Sequence, residues 1–137
     1  MTQDRASGIA GNEFGRRTAP LIAERLGAKM LRSAANEATY KGQRVVIKCA
    51  RPRTTSVGVT YLMLDRLDSV IAAFQQDDGT FQIYALDARA YRQEMRGTRS
   101  RGASAGKVGL VSRLVFERMG CAVGSVFLVR ACCPTTQ

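Results

Sequence analysis

The sequence predicts an α/β domain, and three observations predict it. Apolar residues recur at helical spacing up to Gly27, a β-branched run fills 43–49, and Asp77-Asp78-Gly79 separates two apolar stretches as a hairpin turn would. With 137 residues and 45% apolar composition, the chain is long enough for one ordinary core and too short for two domains. A single domain over 1–137 is expected, with an ordered core of about 9–129.

Each element follows in order. Residues 9–26 read as a helix, because Phe14, Leu21, Ile22 and Leu26 fall near one face and Gly27 is placed to end it. Pro20 leaves two readings open, a kink or a fresh start after a Thr18 cap. Residues 28–32 form a short strand. The polar stretch 33–41, with Asn36 and Glu37, reads as a connection closing on Lys41-Gly42 before a second strand at 43–49. Residues 51–56 are a loop, since proline removes a ladder donor and three hydroxyl residues favour local hydrogen bonds. Residues 60–67 read as a short helix presenting Tyr61, Leu64 and Leu67, with a strand as the open alternative. The strands 69–75 and 80–86 form the hairpin around Gly79, which accepts positive φ freely. Asp87 caps a short helix at 88–96. Glycine, serine and arginine dominate 97–109, an exposed, mobile basic loop. Val111, Leu114, Val115 and Arg118 then recur at helical spacing up to Gly120. An apolar strand at 122–129 closes the fold, and 130–137 is a frayed tail.

Charge is the strongest functional signal. The chain carries 21 Lys and Arg against 11 Asp and Glu, with no histidine, for a formal charge of +10, which favours polyanionic partners. It is unevenly spread. Residues 41–60 hold Lys41, Arg44, Lys48, Arg51 and Arg53 and no acid; 96–118 adds Arg96, Arg99, Arg101, Lys107, Arg113 and Arg118 against Glu117 alone. Between them, 61–94 carries more acids than bases. Cations beside small hydroxyl residues suit phosphates, supplying field and counterion release while allowing close backbone approach. Lys41, Arg44, Arg51, Arg53, Arg96, Arg99, Arg101, Lys107 and Arg113 are therefore the expected nucleic-acid-binding set. The local alternative is a solvated loop beside a solvated charged turn. The aromatic residues do not cluster with these cations, which favours a duplex backbone over a single-strand stacking platform.

Other chemistries find little support. Cys49, Cys121, Cys132 and Cys133 make no Cys-x-x-Cys pair, and without histidine they do not complete a zinc site. Cys49 and Cys121 lie in or beside apolar segments and read as buried thiols. Residues 102–107, Gly-Ala-Ser-Ala-Gly-Lys, miss the nucleotide-binding loop pattern: three residues separate the glycines instead of four, and Val108 replaces the hydroxyl residue. Exposed amides there and Lys107 still suit a phosphate. A Ser or Cys nucleophile has no histidine base. The N-terminus has no signal-like apolar run and no segment approaches the roughly 20 apolar residues of a membrane span, so a cytoplasmic protein with no membrane partner is expected.

Lys48 ends an apolar strand, and with the order helix, strand, strand, strand hairpin, helix, strand over about 9–129 the chain resembles the PD-(D/E)XK nuclease superfamily, which includes restriction enzymes and Holliday-junction resolvases. The resemblance implies a restriction-endonuclease-like fold, a mixed central sheet flanked by helices. It also implies a site in which a glutamate of the first helix, an acid near the second strand and an acid two residues before the lysine gather one or two Mg²⁺ ions. The lysine orients or activates the attacking water. By position, Glu13, Glu37 and Lys48 match as catalytic residues, but Val46 stands where the third acid belongs. Residues 46 and 48 of a strand point to one face, so a methyl-bearing side chain takes the ligand's place. Some relatives move that acid to a neighbouring helix, and Asp65 or Asp68 fills the role if 60–67 packs over the strand. With Glu37 they are the candidate Mg²⁺ ligands. Bland alternatives stand beside these: Glu13 pairing with Arg16 or Arg17, Glu37 capping a turn, Lys48 snorkelling from a strand end.

The expectation is thus a DNA-binding protein, DNA ahead of RNA, of nuclease-like fold with a degenerate or relocated Mg²⁺-dependent phosphodiesterase site. An active Mg²⁺-dependent endonuclease is one alternative. Another is a protein-binding adaptor or regulator whose basic loop meets an acidic partner. Restriction-type relatives pair two subunits across a duplex, so the resemblance also implies a homodimer.

Overall fold

Helix α1 (Arg5–Leu26) runs unbroken through Pro20, and Thr18 is buried within it instead of capping a second helix. Gly27 ends it at φ +78°, with the Ala28 amide donating to the Ala23 carbonyl at 2.8 Å. The structure, a computed structural model, describes residues 5–32, 36–97 and 107–128; of their side chains, those of 5–12 and Arg32 lie outside the description.

Among the described residues six strands make the main sheet: β1 (Lys29–Arg32), β2 (Glu37–Tyr40), β3 (Gln43–Ala50), β5 (Ser69–Gln75), β6 (Thr80–Asp87) and β9 (Cys121–Phe127), adjacent in that order. Among the described residues only β3 and β5 pair in parallel, so the sheet is mixed and helices flank it, as expected. The connection expected at 33–41 contains strand β2 instead. Its Glu37-Ala-Thr-Tyr is too short and too polar to announce itself, and its pairing with β3 creates it. Lys41 (φ +51°) and Gly42 (φ +79°) turn between them with Tyr40 opposite Gln43, a two-residue hairpin of the primed type.

A second, three-stranded sheet was not expected. β4 (Ser56–Thr60) pairs antiparallel with β8 (Val108–Ser112), which pairs with β7 (Arg96–Gly97). Ser56 thus leaves the expected loop, Gly97 and Gly109 leave the expected flexible segment, and Val111 is a strand residue, not a helical one. Residues 98–106, the rest of that segment, and 129–137 lie outside the described residues. Two glycines concealed these strands and permit them. A Cβ at Gly58 would stand 3.0 Å from Leu110 and Val108 side-chain atoms, and one at Gly109 would overlap Met95.

Three short helices start directly from strand ends: α2 (Tyr61–Leu64), α3 (Ala88–Glu94) and α4 (Arg113–Met119). The last residue of each strand is the cap. Thr60, Asp87 and Ser112 accept from the amides of Met63, Arg89 and Val115. This confirms the Asp87 cap and shortens the helix expected at 60–67 to one turn.

Strand alternation divides the core into two. On one face of the main sheet Val45, Ile47, Ile71, Ala73, Phe81 and Ile83 meet Ala19, Ile22 and Ala23 of α1. On the other, Val46, Val70, Ala72, Phe74 and Leu86 meet Leu64, Tyr91, Phe116 and the second sheet through Val57, Val59 and Val111. Phe116 packs edge-on to Phe74 and Tyr91, at centroid distances of 5.7 and 6.2 Å. The Tyr91 hydroxyl reaches the carbonyls of Val57 (3.1 Å) and Gly109 (2.8 Å), tying α3 to both β4 and β8. Cys49 is half-buried on the α1 side, where burial pushes its thiol up to about 12. Cys121 is exposed on edge strand β9, against the expectation of a buried thiol. Among the described residues, no helix is long and apolar enough to cross a membrane.

Candidate nucleic-acid interface

Strands β4 and β8 bring the two basic stretches of the sequence together. Ser56 pairs with Ser112 and Thr60 with Val108, so the end of 41–60 and the middle of 96–118 form one layer. At one end of this layer the Arg113 amide donates to the Thr55 carbonyl at 2.7 Å, setting the root of α4 against the loop of Arg51 and Arg53. At the other end the Tyr61 amide donates to the Lys107 carbonyl at 2.9 Å. Arg53, Arg96 and Lys107 are exposed. Arg51 lies over the Phe14 ring at 4.8 Å, Lys41 over Tyr40 at 5.3 Å, and Arg113 over Phe74 at 5.3 Å while its Nε meets Glu117 at 3.1 Å. Arg99 and Arg101 lie outside the described residues.

Glu37, Arg44 and Lys48 share the second-sheet face of β2 and β3. Glu37 stands opposite Val46, so Arg44 and Lys48 are its two diagonal neighbours, roughly 7–8 Å away along the strand pair. Glu37 is 1% exposed, yet it keeps its charge because two guanidiniums hold it. Arg44 Nε and Nη2 donate to Oε1 at 3.0 and 2.8 Å, and Arg66 Nη2 donates to Oε2 at 2.6 Å. The Arg66 bond is the largest influence holding the Glu37 carboxyl below its ordinary 4.5; burial opposes it, and Arg44 adds to it. Arg66, just beyond α2, was not among the residues expected. An Arg in an acid-rich segment gives no sequence signal of reaching back 29 positions to a buried carboxylate.

Lys48 is half-buried and makes no hydrogen bond or ion pair among the described residues. Its neighbour across the parallel pair is Ala72. Burial depresses the Lys48 ammonium below its ordinary 10.5.

The residues expected to hold Mg²⁺ do not offer it a cage. Mg²⁺ requires near-octahedral oxygen ligands. Both Glu37 oxygens are taken by guanidiniums, Asp65 pairs with Arg92, and Asp68 Oδ2 accepts the Arg44 amide at 2.8 Å. Glu13 is exposed on α1, which covers the opposite face of the sheet from Lys48. Asn36 Oδ1, buried and without a partner among the described residues, belongs to a side chain whose Nδ2 lies toward Gly15 of α1, two positions past Glu13 and hence on another side of the helix. Among the described residues no group of three or more His, Cys, Asp or Glu side chains comes together to hold a metal.

No protein-family model matches the chain, and no curated protein matches it. Among solved structures it is similar to a Holliday junction resolvase from Archaeoglobus fulgidus, an archaeal hyperthermophile, with 10% identity and a TM-score of 0.44 over 79% of this chain and 90% of that one. The roles of individual residues do not transfer at that distance.

Proposed function

We propose that this chain is a nucleic-acid-binding protein that grips the phosphodiester backbone, of DNA ahead of RNA, at a nuclease-like site that has lost metal-dependent cleavage. The observation that carries the reading is the joining of two sequence-distant basic stretches into one layer by β4 and β8. Exposed Arg53, Arg96 and Lys107 lie in or beside that layer, and a charge of +10 supplies the long-range attraction. Val46 in place of an acid and the engagement of Glu37, Asp65 and Asp68 by cations or amides support binding without hydrolysis. A homodimer fits the uncharged edge strand β9, which carries an exposed Phe127 and among the described residues pairs on one side only. The cytoplasm fits the reduced state suited to Cys49 and Cys121.

The test is incubation of purified protein with labelled duplex and single-stranded DNA in Mg²⁺, Mn²⁺ or EDTA, with shift and cleavage read from the same samples. Binding without cleavage in every buffer is the expected result. Metal-dependent cleavage abolished by Lys48→Ala would establish an endonuclease instead. Absence of both activities would favour the adaptor with an acidic protein partner.

A further inference from the structure

We infer that Arg44, Arg66 and Lys48 form a seat for one backbone phosphate, with Glu37 as the internal post that aims the two guanidiniums. The inference rests on the nucleic-acid-binding reading and deepens it by naming where a strand is held in the absence of a metal.

The geometry supplies three elements of such a seat. The first is position: Arg44 and Lys48 flank Glu37 on one face, and Arg66 reaches the same carboxylate from beyond α2. The second is spare donor capacity. A guanidinium has five N–H donors; Arg44 spends two on Glu37, Arg66 spends two on Glu37 and one on the Leu62 carbonyl, and their side chains remain 42% and 48% exposed. The third is uncompensated charge. Two arginines and a lysine stand beside Glu37, with the Asp68 carboxylate on the Arg44 amide, which leaves one positive charge in excess; Lys48 has no counter-ion among the described residues although it is half-buried. A cation in that state is stabilised by an arriving anion more than a fully hydrated one would be.

Glu37 explains why the seat is ordered before a ligand arrives. Long arginine side chains lose rotamer freedom on binding, and here the carboxylate has already fixed them. Anchoring through one carboxylate leaves the outer N–H groups in a planar fork, the shape that matches two phosphate oxygens. A singly charged phosphodiester oxygen pair suits this arrangement. It also replaces what a metal would do: the cations that neutralise the phosphate are side chains.

The experiment measures binding of a labelled DNA duplex across a salt series for the full chain and for Lys48→Gln, Arg66→Gln and Arg89→Gln. Arg89 is exposed on α3 with its side chain outside the seat, so its variant removes the same unit of charge elsewhere. Lys48→Gln and Arg66→Gln are each expected to weaken binding about tenfold near physiological salt and to reduce the slope of log K against log salt by about 0.9, the share of one phosphate contact. Arg89→Gln is expected to leave that slope unchanged. Equal behaviour of all three variants would overturn the seat while leaving nucleic-acid binding intact. Failure of the unsubstituted chain to bind at low salt would overturn both. Arg66→Gln also loosens Glu37, so thermal unfolding accompanies each titration; if that variant is unstable, Lys48→Gln, which breaks no ion pair among the described residues, decides the question.

Discussion

Replacing Glu37 with glutamine removes one charge from the centre of the site and keeps the shape. The carboxylate accepts two hydrogen bonds from Arg44 at 3.0 and 2.8 Å and two from Arg66 at 2.6 and 3.4 Å. Charge-assisted bonds shielded from water contribute about 1.5–3 kcal/mol each, and exposed ion pairs about 0.2–1 kcal/mol. Glu37 is buried but both partners are open to solvent, so the cost of Glu37→Gln at neutral pH is about 1–2 kcal/mol. For a domain of this size that lowers Tm by about 3–8 °C. The pH dependence has a fixed sign. Because the native carboxyl titrates below its ordinary 4.5, its contribution is complete above that value and is lost as pH falls through the lower native one. Glutamine has no proton to gain, so the two proteins should converge in acid. Thermal or urea unfolding followed by circular dichroism at pH 7.5, 5.5 and 3.5 measures the gap. A variant as stable as the parent at pH 7.5, or a gap that persists undiminished at pH 3.5, would refute the clamp.

Three further outcomes are expected. Tyr91→Phe keeps the ring against Phe116 but deletes the hydroxyl between Val57 and Gly109; it should cost about 1–1.5 kcal/mol in urea unfolding, and an unchanged midpoint would count against the tie. Gly42→Ala meets no neighbouring atom and is strained only by φ +79°, so it should cost about 1 kcal/mol by the same measurement. With its thiol pushed up to about 12, Cys49 should stay unmodified by a thiol reagent at pH 8 until denaturant is added, while exposed Cys121 reacts in the native state; peptide mapping after a short pulse distinguishes them.

The local signals that proved readable were those carried by chemistry confined to a few residues. Gly27 ends α1, Asp87 caps α3, and Asp77-Asp78-Gly79 turns β5 into β6 because each acts on its own backbone, whatever surrounds it. The run ending at Lys48 became β3 because β-branched residues fit a buried pleat. The second sheet escaped notice for the opposite reason. Gly58 and Gly109 have weak strand preference by themselves, and only the approach of Leu110, Val108 and Met95 makes their missing side chains an advantage. Val111 and Leu114 happen to lie three apart across a strand-to-helix junction, which imitates a helical period.

At the site, sequence alone determined the charge of +10, the place of Lys48 within a strand and the absence of an acid at Val46, although β3 continues two residues past Lys48 to Ala50. These belong to residue identity and strand alternation, which need no distant contact. Tertiary structure alone decided that Glu37 is held by Arg44 and Arg66, that Asp65 faces Arg92 and that parts of the two basic stretches pair as β4 and β8. The reason is electrostatic: whether a carboxylate serves a metal or a guanidinium depends on which cation lies within a few ångströms, and chain separation does not encode that distance.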